Sequence, residues 1–264
     1  MDWNKYFNYE NEKPLDRIVQ GYSNTSIFRK IAFIGDSLSS GEFETFRPDG
    51  THGYHDMFEY SWGQFIARKN GLTAYNFSKG GMTAKDYVER FAEEKGFWSP
   101  ELAAQAYVIA LGCNDIYNRG WEIGSLEDVD PADYRNNKPT YLGYYATIVS
   151  RYKEIVPDAK FFFVTLPNTA RADRIPKGKA VSEALCALAG VFENCYVIDL
   201  FNYGPIHDDA FRHNFYNGHL TPTGYVHTAE IIDSYIDYII RQCTPGPLTK
   251  KTAESHRTHT HQIR

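Results

Sequence analysis

A serine that follows a buried run and a histidine that precedes the last helical pattern are the two side chains best placed to do chemistry together. Ser37 stands in Gly35-Asp36-Ser37-Leu38-Ser39-Ser40-Gly41, between small residues and directly after an apolar stretch. That position presents a hydroxyl at the edge of a sheet, although Gly, Asp and Ser also make ordinary turns. His219 stands in Asn217-Gly218-His219-Leu220-Thr221-Pro222. An imidazole within reach of a serine is the base that makes its weak alcohol a nucleophile. Two more loops add donors. Asn76-Phe77-Ser78-Lys79-Gly80-Gly81-Met82-Thr83 brings paired glycines, which let a ligand approach the backbone, next to a helix start with free N–H groups. Gly112-Cys113-Asn114-Asp115 offers a side-chain amide. A nucleophile, a base and donors for a developing negative charge are the parts of acyl transfer.

Each of these loops must be held by an element. Five short, nearly continuous apolar runs precede or separate them: residues 30–34, 73–77, 106–111, 160–166 and 195–200. Runs that do not alternate suit strands buried on both faces. Helical patterns lie between them at 61–69, 83–94, 141–155, 177–192 and 221–242, and Ser99-Pro100-Glu101 reads as another helix start. In the last pattern Val226, Ala229, Ile232, Ile236 and Ile240 recur at helical spacing. Strands alternating with helices predict a doubly wound, mostly parallel five-stranded sheet, and such sheets bind ligands beyond the carboxyl ends of their strands. Ser37, the Gly80-Gly81 pair and Asn114 all fall there. Segments 41–60 and 116–138 read as insertions at that edge, as possible lids. Residues 1–29 read as an extension docked on the body, 30–244 as the catalytic domain and 245–264 as a disordered tail.

These blocks resemble the SGNH, or GDSL-like, hydrolase superfamily over roughly residues 30–242. The resemblance implies a flavodoxin-like three-layer α/β/α sandwich and hydrolysis of acyl esters without a cofactor. It makes Ser37 the nucleophile and His219 the base, and it assigns the oxyanion hole to Ser37, Gly81 and Asn114, with Gly80 as the alternative glycine. One position departs: the family's Asp three residues before the histidine is Tyr216 here. Three readings stand open: a backbone carbonyl accepts the Nδ1 proton of His219, Asp208 or Asp209 folds back to it, or the activity is weakened or lost. The matching functions are an esterase, such as a sugar deacetylase, an O-acyltransferase using the same serine, or a ligand-binding pseudoenzyme.

Composition fits a globular enzyme. The chain has 264 residues and a net charge of −5, which argues against nucleic acid as a partner. Cys113, Cys186, Cys195 and Cys243 form no Cys-x-x-Cys pair. His52 and His55 with Asp56 invite a metal reading, but the ligand count does not support one, and the segment reads better as part of a lid touching substrate. In the tail, His256, His259 and His261 have nothing to position them. The 20 Tyr and 17 Phe suit core packing, or a groove for a carbohydrate ester. Trp62 is expected in the core, and Trp98 and Trp121 in the core or on a pocket wall. Asp36 and Asp115 are expected to hold loop amides. No secretory signal and no membrane span are visible, so a cytoplasmic location is the expectation.

Overall fold

The computed structural model describes residues 11–242. The expectations for the first ten residues of the extension, for Cys243 and for the 245–264 tail lie outside that range.

The five apolar runs are the five strands of the main sheet. Strand β1 is Lys30–Gly35. After a hairpin of β2 (Glu42–Phe46) and β3 (His52–Asp56) come β4 (Thr73–Ser78), β5 (Ala106–Ala110), β6 (Lys160–Val164) and β7 (Cys195–Ile198). The sheet order is β4-β1-β5-β6-β7, and every neighbouring pair is parallel. The chain leaves β1 to one side for β4 and then returns to the other side for β5. That reversal puts a crevice at the carboxyl end of β1.

Both faces of the sheet are covered, which explains why the runs do not alternate. Ala32, Ile34, Tyr107, Ile109, Phe161 and Phe163 pack with the helices Tyr141–Ile155 and Ile175–Ala189 and with the segment 84–94. Ile31, Phe33, Val108, Phe162 and Val164 point the other way, onto the helices Trp62–Asn70 and Pro222–Gln242. Successive residues of one strand thus feed two cores. The outcome is the three-layer α/β/α sandwich expected.

Capping residues explain most helix starts. Ser61, Thr83 and Thr140 each accept a backbone N–H from the first turn of the following helix. Three expectations need adjustment. Ser99-Pro100-Glu101 opens only a single 3-10 turn, Pro100–Leu102, because Ala103 turns extended and the chain enters β5 three residues later. The helix expected over 83–94 carries a π-helical turn at Tyr87–Phe91. Segment 41–60 is an ordered hairpin rather than a loop. Segment 116–138 holds two 3-10 turns, Leu126–Asp128 and Tyr134–Asn136, closed by the Lys138–Asp128 ion pair at 2.8 Å. The described part of the extension docks on the last helix. Ser23 Oγ donates to Asp233 at 2.7 Å, the Asn24 amide to Asp237 at 2.8 Å, and Arg241 meets Glu12 at 2.6 Å.

Candidate active site

Ser37 opens the short helix Ser37–Ser40, and Asp36 caps it by accepting the Leu38 amide at 3.0 Å. The corner between β1 and this helix is closed: a Cβ on Gly35 would sit 2.4 Å from Ser39 Oγ. Ser37 therefore stands half-buried at the carboxyl end of β1. Gly81 follows β4 with φ of +74°, a conformation glycine adopts without strain. Asn114 follows β5, and its Nδ2 donates to the Met82 carbonyl at 3.0 Å while its Oδ1 accepts from Asn118 at 2.8 Å. That first bond ties the loop carrying the amide to the loop carrying the glycine. Asp115 ties them a second time by accepting the Ala84 amide at 2.8 Å. Ser37, Gly81, Asn114 and His219 line one cleft of about 470 Å³, with Cys113, Leu166, Arg174 and Tyr216 among its other walls.

His219 arrives on a tight antiparallel turn, β8 (Tyr216–Asn217) against β9 (His219–Leu220), around Gly218 with φ of +71°. Its Nδ1 lies 2.7 Å from Oε1 of Glu44, and its Nε2 lies 3.0 Å from Oε1 of Glu42. No hydrogen bond joins the imidazole to Ser37 in this arrangement. Gly218 makes room for the contact, since a Cβ there would fall 2.2 Å from the Glu44 carboxylate.

The orienting group expected at Nδ1 is thereby corrected. It is neither a backbone carbonyl nor Asp208 nor Asp209. Asp208 caps the helix Asp209–Phe215, accepting the Phe211 amide at 2.9 Å, and Asp209 lies in the first turn of that helix. Tyr216, at the position where an Asp was missing, places its hydroxyl 3.2 Å from His207 Nδ1.

Sequence reasoning did not find Glu44, which lies 175 residues from its histidine. A signal for its hairpin was present. Glu42 to Phe46 contains the strand-favouring residues Phe43, Thr45 and Phe46, and Pro48-Asp49-Gly50 is a turn sequence. Antiparallel pairing puts Glu42, Glu44 and Phe46 on one face with Asp56, Tyr54 and His52 opposite them. The root of the hairpin is fixed. Gly41 has φ of +78°, and a Cβ there would meet the Met57 carbonyl at 2.5 Å. The Met57 amide returns to the Gly41 carbonyl at 3.0 Å, Ser40 Oγ bonds to Asp56, and Tyr225 donates to the Glu42 carbonyl at 2.7 Å.

Burial sets the charges. It pushes the Asp36 carboxyl up to about 7 and the Asp115 carboxyl up to about 6, against their helix-amide bonds. Burial also raises the Glu42 carboxyl, an effect that the neighbouring His219 opposes. The Cys113 thiol is pushed up to about 12, also by burial, so it is no competing nucleophile. Among the described residues no group of three or more His, Cys, Asp or Glu could hold a metal ion. His52 and His55 point to opposite faces of β3, as residues three apart on a strand must. Trp62 is buried and reaches the cleft. Trp98 packs on Tyr152 under Arg151, and Trp121 lies beneath Lys85 and Arg119.

The sequence profile of the GDSL-like lipase/acylhydrolase family matches residues 33–227. No curated protein matches the chain. Several solved structures share the fold. A family two carbohydrate esterase from Clostridium thermocellum, in complex with cellohexaose, is 17% identical with a TM-score of 0.53, covering 85% of this chain and 67% of that one. A family 2 carbohydrate esterase with a carbohydrate binding domain, from Corynascus thermopiles (Myceliophthora fergusii), is 18% identical with a TM-score of 0.52, covering 85% and 69%. An acetyl xylan esterase is 16% identical with a TM-score of 0.51, covering 78% and 99%. At such identities the likeness is one of fold.

Proposed function

The chain belongs to the GDSL-like lipase/acylhydrolase family and is a carboxylic ester hydrolase, and from that premise we propose that it deacetylates saccharides through a Ser37–His219–Glu44 triad. The observation that carries the triad is the 2.7 Å contact between His219 Nδ1 and Glu44. A carboxylate there fixes the tautomer, with the proton on Nδ1 and the lone pair on Nε2, and stabilises the imidazolium that forms during the reaction. The pseudoenzyme reading rested on Tyr216, and Glu44 removes the reason for it. The saccharide part rests on the carbohydrate esterases among the similar folds and on the aromatic hairpin beside the cleft.

The steps balance without a cofactor. Glu42 yields Nε2 as the ester enters. Ser37 Oγ attacks the carbonyl carbon while Nε2 takes its proton. The negative charge on the carbonyl oxygen is held by the Ser37 and Gly81 amides and the Asn114 amide group. The intermediate collapses, Nε2 gives its proton to the leaving sugar hydroxyl, and an acetyl-serine remains. Water then attacks the acetyl carbon with His219 again as base, the second intermediate collapses as Nε2 returns that proton to Ser37 Oγ, and acetate leaves.

The test is hydrolysis of an aryl acetate and release of acetate from an acetylated xylo- or cello-oligosaccharide. Ser37→Ala and His219→Ala should lose turnover by a factor on the order of 10⁴ or more. Glu44→Gln should lose about 10²–10⁴, whereas Asp208→Ala and Asp209→Ala stay within about three-fold of the parent. A Glu44→Gln protein with parental turnover would sink the triad. An aryl esterase inert towards every acetylated sugar would sink the substrate class.

A further inference from the structure

The hairpin that carries Glu44 continues outward beyond the cleft, and the same face changes from acidic to aromatic as it does so. Glu42 and Glu44 touch the two nitrogens of His219. The next residues on that face are Tyr54, His52 and Phe46. Strand alternation requires this: the three rings share a face with the acids, while Phe43 packs at 5.1 Å on Tyr225 from the opposite face. Starting at His219, the ring of Tyr54 is 6.1 Å away, His52 is 6.3 Å beyond it, and Phe46 is 4.6 Å beyond that.

These rings are not core. Tyr54 is 57% and Phe46 58% exposed, and the His52 side chain is 46% exposed. They are nevertheless positioned. The Glu44 carboxylate that meets His219 through Oε1 meets His52 Nδ1 through Oε2, at 3.4 Å. Tyr54 and His52 are tilted by only 33° and make a shallow floor, and Phe46 stands at 65° to His52 as an end wall. Large aromatic faces left in water beside a reactive centre are costly unless a ligand covers them. A floor of ring faces rimmed by carboxylates and ring nitrogens matches a pyranose. Its C–H face is apolar, and its edge is a ring of hydroxyls that donate to carboxylates.

We propose that this face is a saccharide-binding track, with Tyr54 and His52 under the sugar next to the acetylated one and Phe46 closing the far end. The inference deepens the deacetylase reading and rests on it. The track begins at His219, so a chain lying on it brings an O-acetyl group to Ser37 from the leaving-alcohol side. That direction agrees with the mechanism, in which Nε2 protonates the sugar hydroxyl. The substrate is then an oligosaccharide or polysaccharide rather than a single acetylated sugar, because three rings in line exceed what one pyranose covers.

The experiment compares kcat and KM for an aryl acetate and for acetylated xylo-oligosaccharides of two and four sugars, in the parent, Tyr54→Ala, Phe46→Ala and Tyr54→Trp. The ratio of kcat/KM for the four-sugar ester over that for the aryl acetate should fall about ten-fold in Tyr54→Ala, through KM rather than kcat. Tyr54→Trp should restore it. Phe46→Ala should lose the preference for four sugars over two. Both side chains are exposed, so folding is not at risk, and the aryl acetate rate reports any collapse of the site. Parental selectivity in both alanine variants would overturn the track while leaving sugar deacetylation standing. A parent enzyme that cleaves the aryl acetate but no acetylated saccharide would overturn the track together with the substrate class.

Discussion

In the proposed mechanism the proton leaving Ser37 goes to Nε2 of His219, yet that nitrogen faces the Glu42 carboxylate at 3.0 Å. The contact must open before the proton can be taken, so Glu42 stands in the path of the reaction. Glu42→Ala clears that path and is expected to raise kcat/KM for the aryl acetate about two- to ten-fold. Steady-state kinetics check this, and an unchanged or lower value contradicts it. Asp36 carries a pH effect on stability. Its folded-state pKa of about 7 lies above the ordinary carboxylate value of 3.8. Folding therefore takes up a proton, and the stability contributed is complete below pH 4 and lost as pH rises through 7. Asn caps a helix as well as Asp does. Asp36→Asn should therefore gain about 2–4 kcal/mol in urea unfolding at pH 8 and almost nothing at pH 4.

At the scale of elements, one glycine joins two separate pieces of structure. Gly218 is held at a positive φ and lies under the Glu44 carboxylate, so Gly218→Ala strains the turn and pushes the acid away. We expect kcat to fall about 10²-fold with a loss of only about 1–2 kcal/mol in stability. Calorimetry beside kinetics separates the two. Elements also mark how far the sequence could be read. The strands of the sheet were legible because residues such as Ile31 to Ile34 are apolar without interruption, which burial on both faces demands. The helix Pro222–Gln242 was legible because Val226, Ala229, Ile232, Ile236 and Ile240 recur at helical spacing. Ser37, Gly81, Asn114 and His219 could be placed in one cleft because parallel strands end at one edge. Glu44 could not be assigned. Phe43, Thr45 and Phe46 beside the Pro48-Asp49-Gly50 turn suit a hairpin, but nothing local says that it folds over the sheet edge to meet a histidine. The pair β8 and β9 was below any periodicity signal, at two residues each. The helix Asp209–Phe215 was missed because its apolar stripe is only Phe211 and Phe215, too short over seven residues to read as a periodicity.

At the scale of the whole molecule, the segment before β1 stabilises the fold from the face away from the cleft. Ser23, Asn70 and Lys69 surround the buried Asp233 at 2.7, 3.0 and 2.9 Å. Removing that carboxylate leaves a lysine facing a buried pocket. Asp233→Ala should cost about 3 kcal/mol with aryl acetate turnover within about two-fold of the parent, which urea midpoints and kinetics will show. The order in which the chain supplies its parts has a temporal meaning. Ser37 and Glu44 leave the ribosome early, whereas their histidine follows 175 residues after the acid. At about 5–20 residues per second, roughly 10–35 seconds pass between them. If the proposed triad is the catalytic centre, its serine waits through that interval for its base, and ester cleavage begins only once the segment carrying His219 has been synthesised and seated against Glu44.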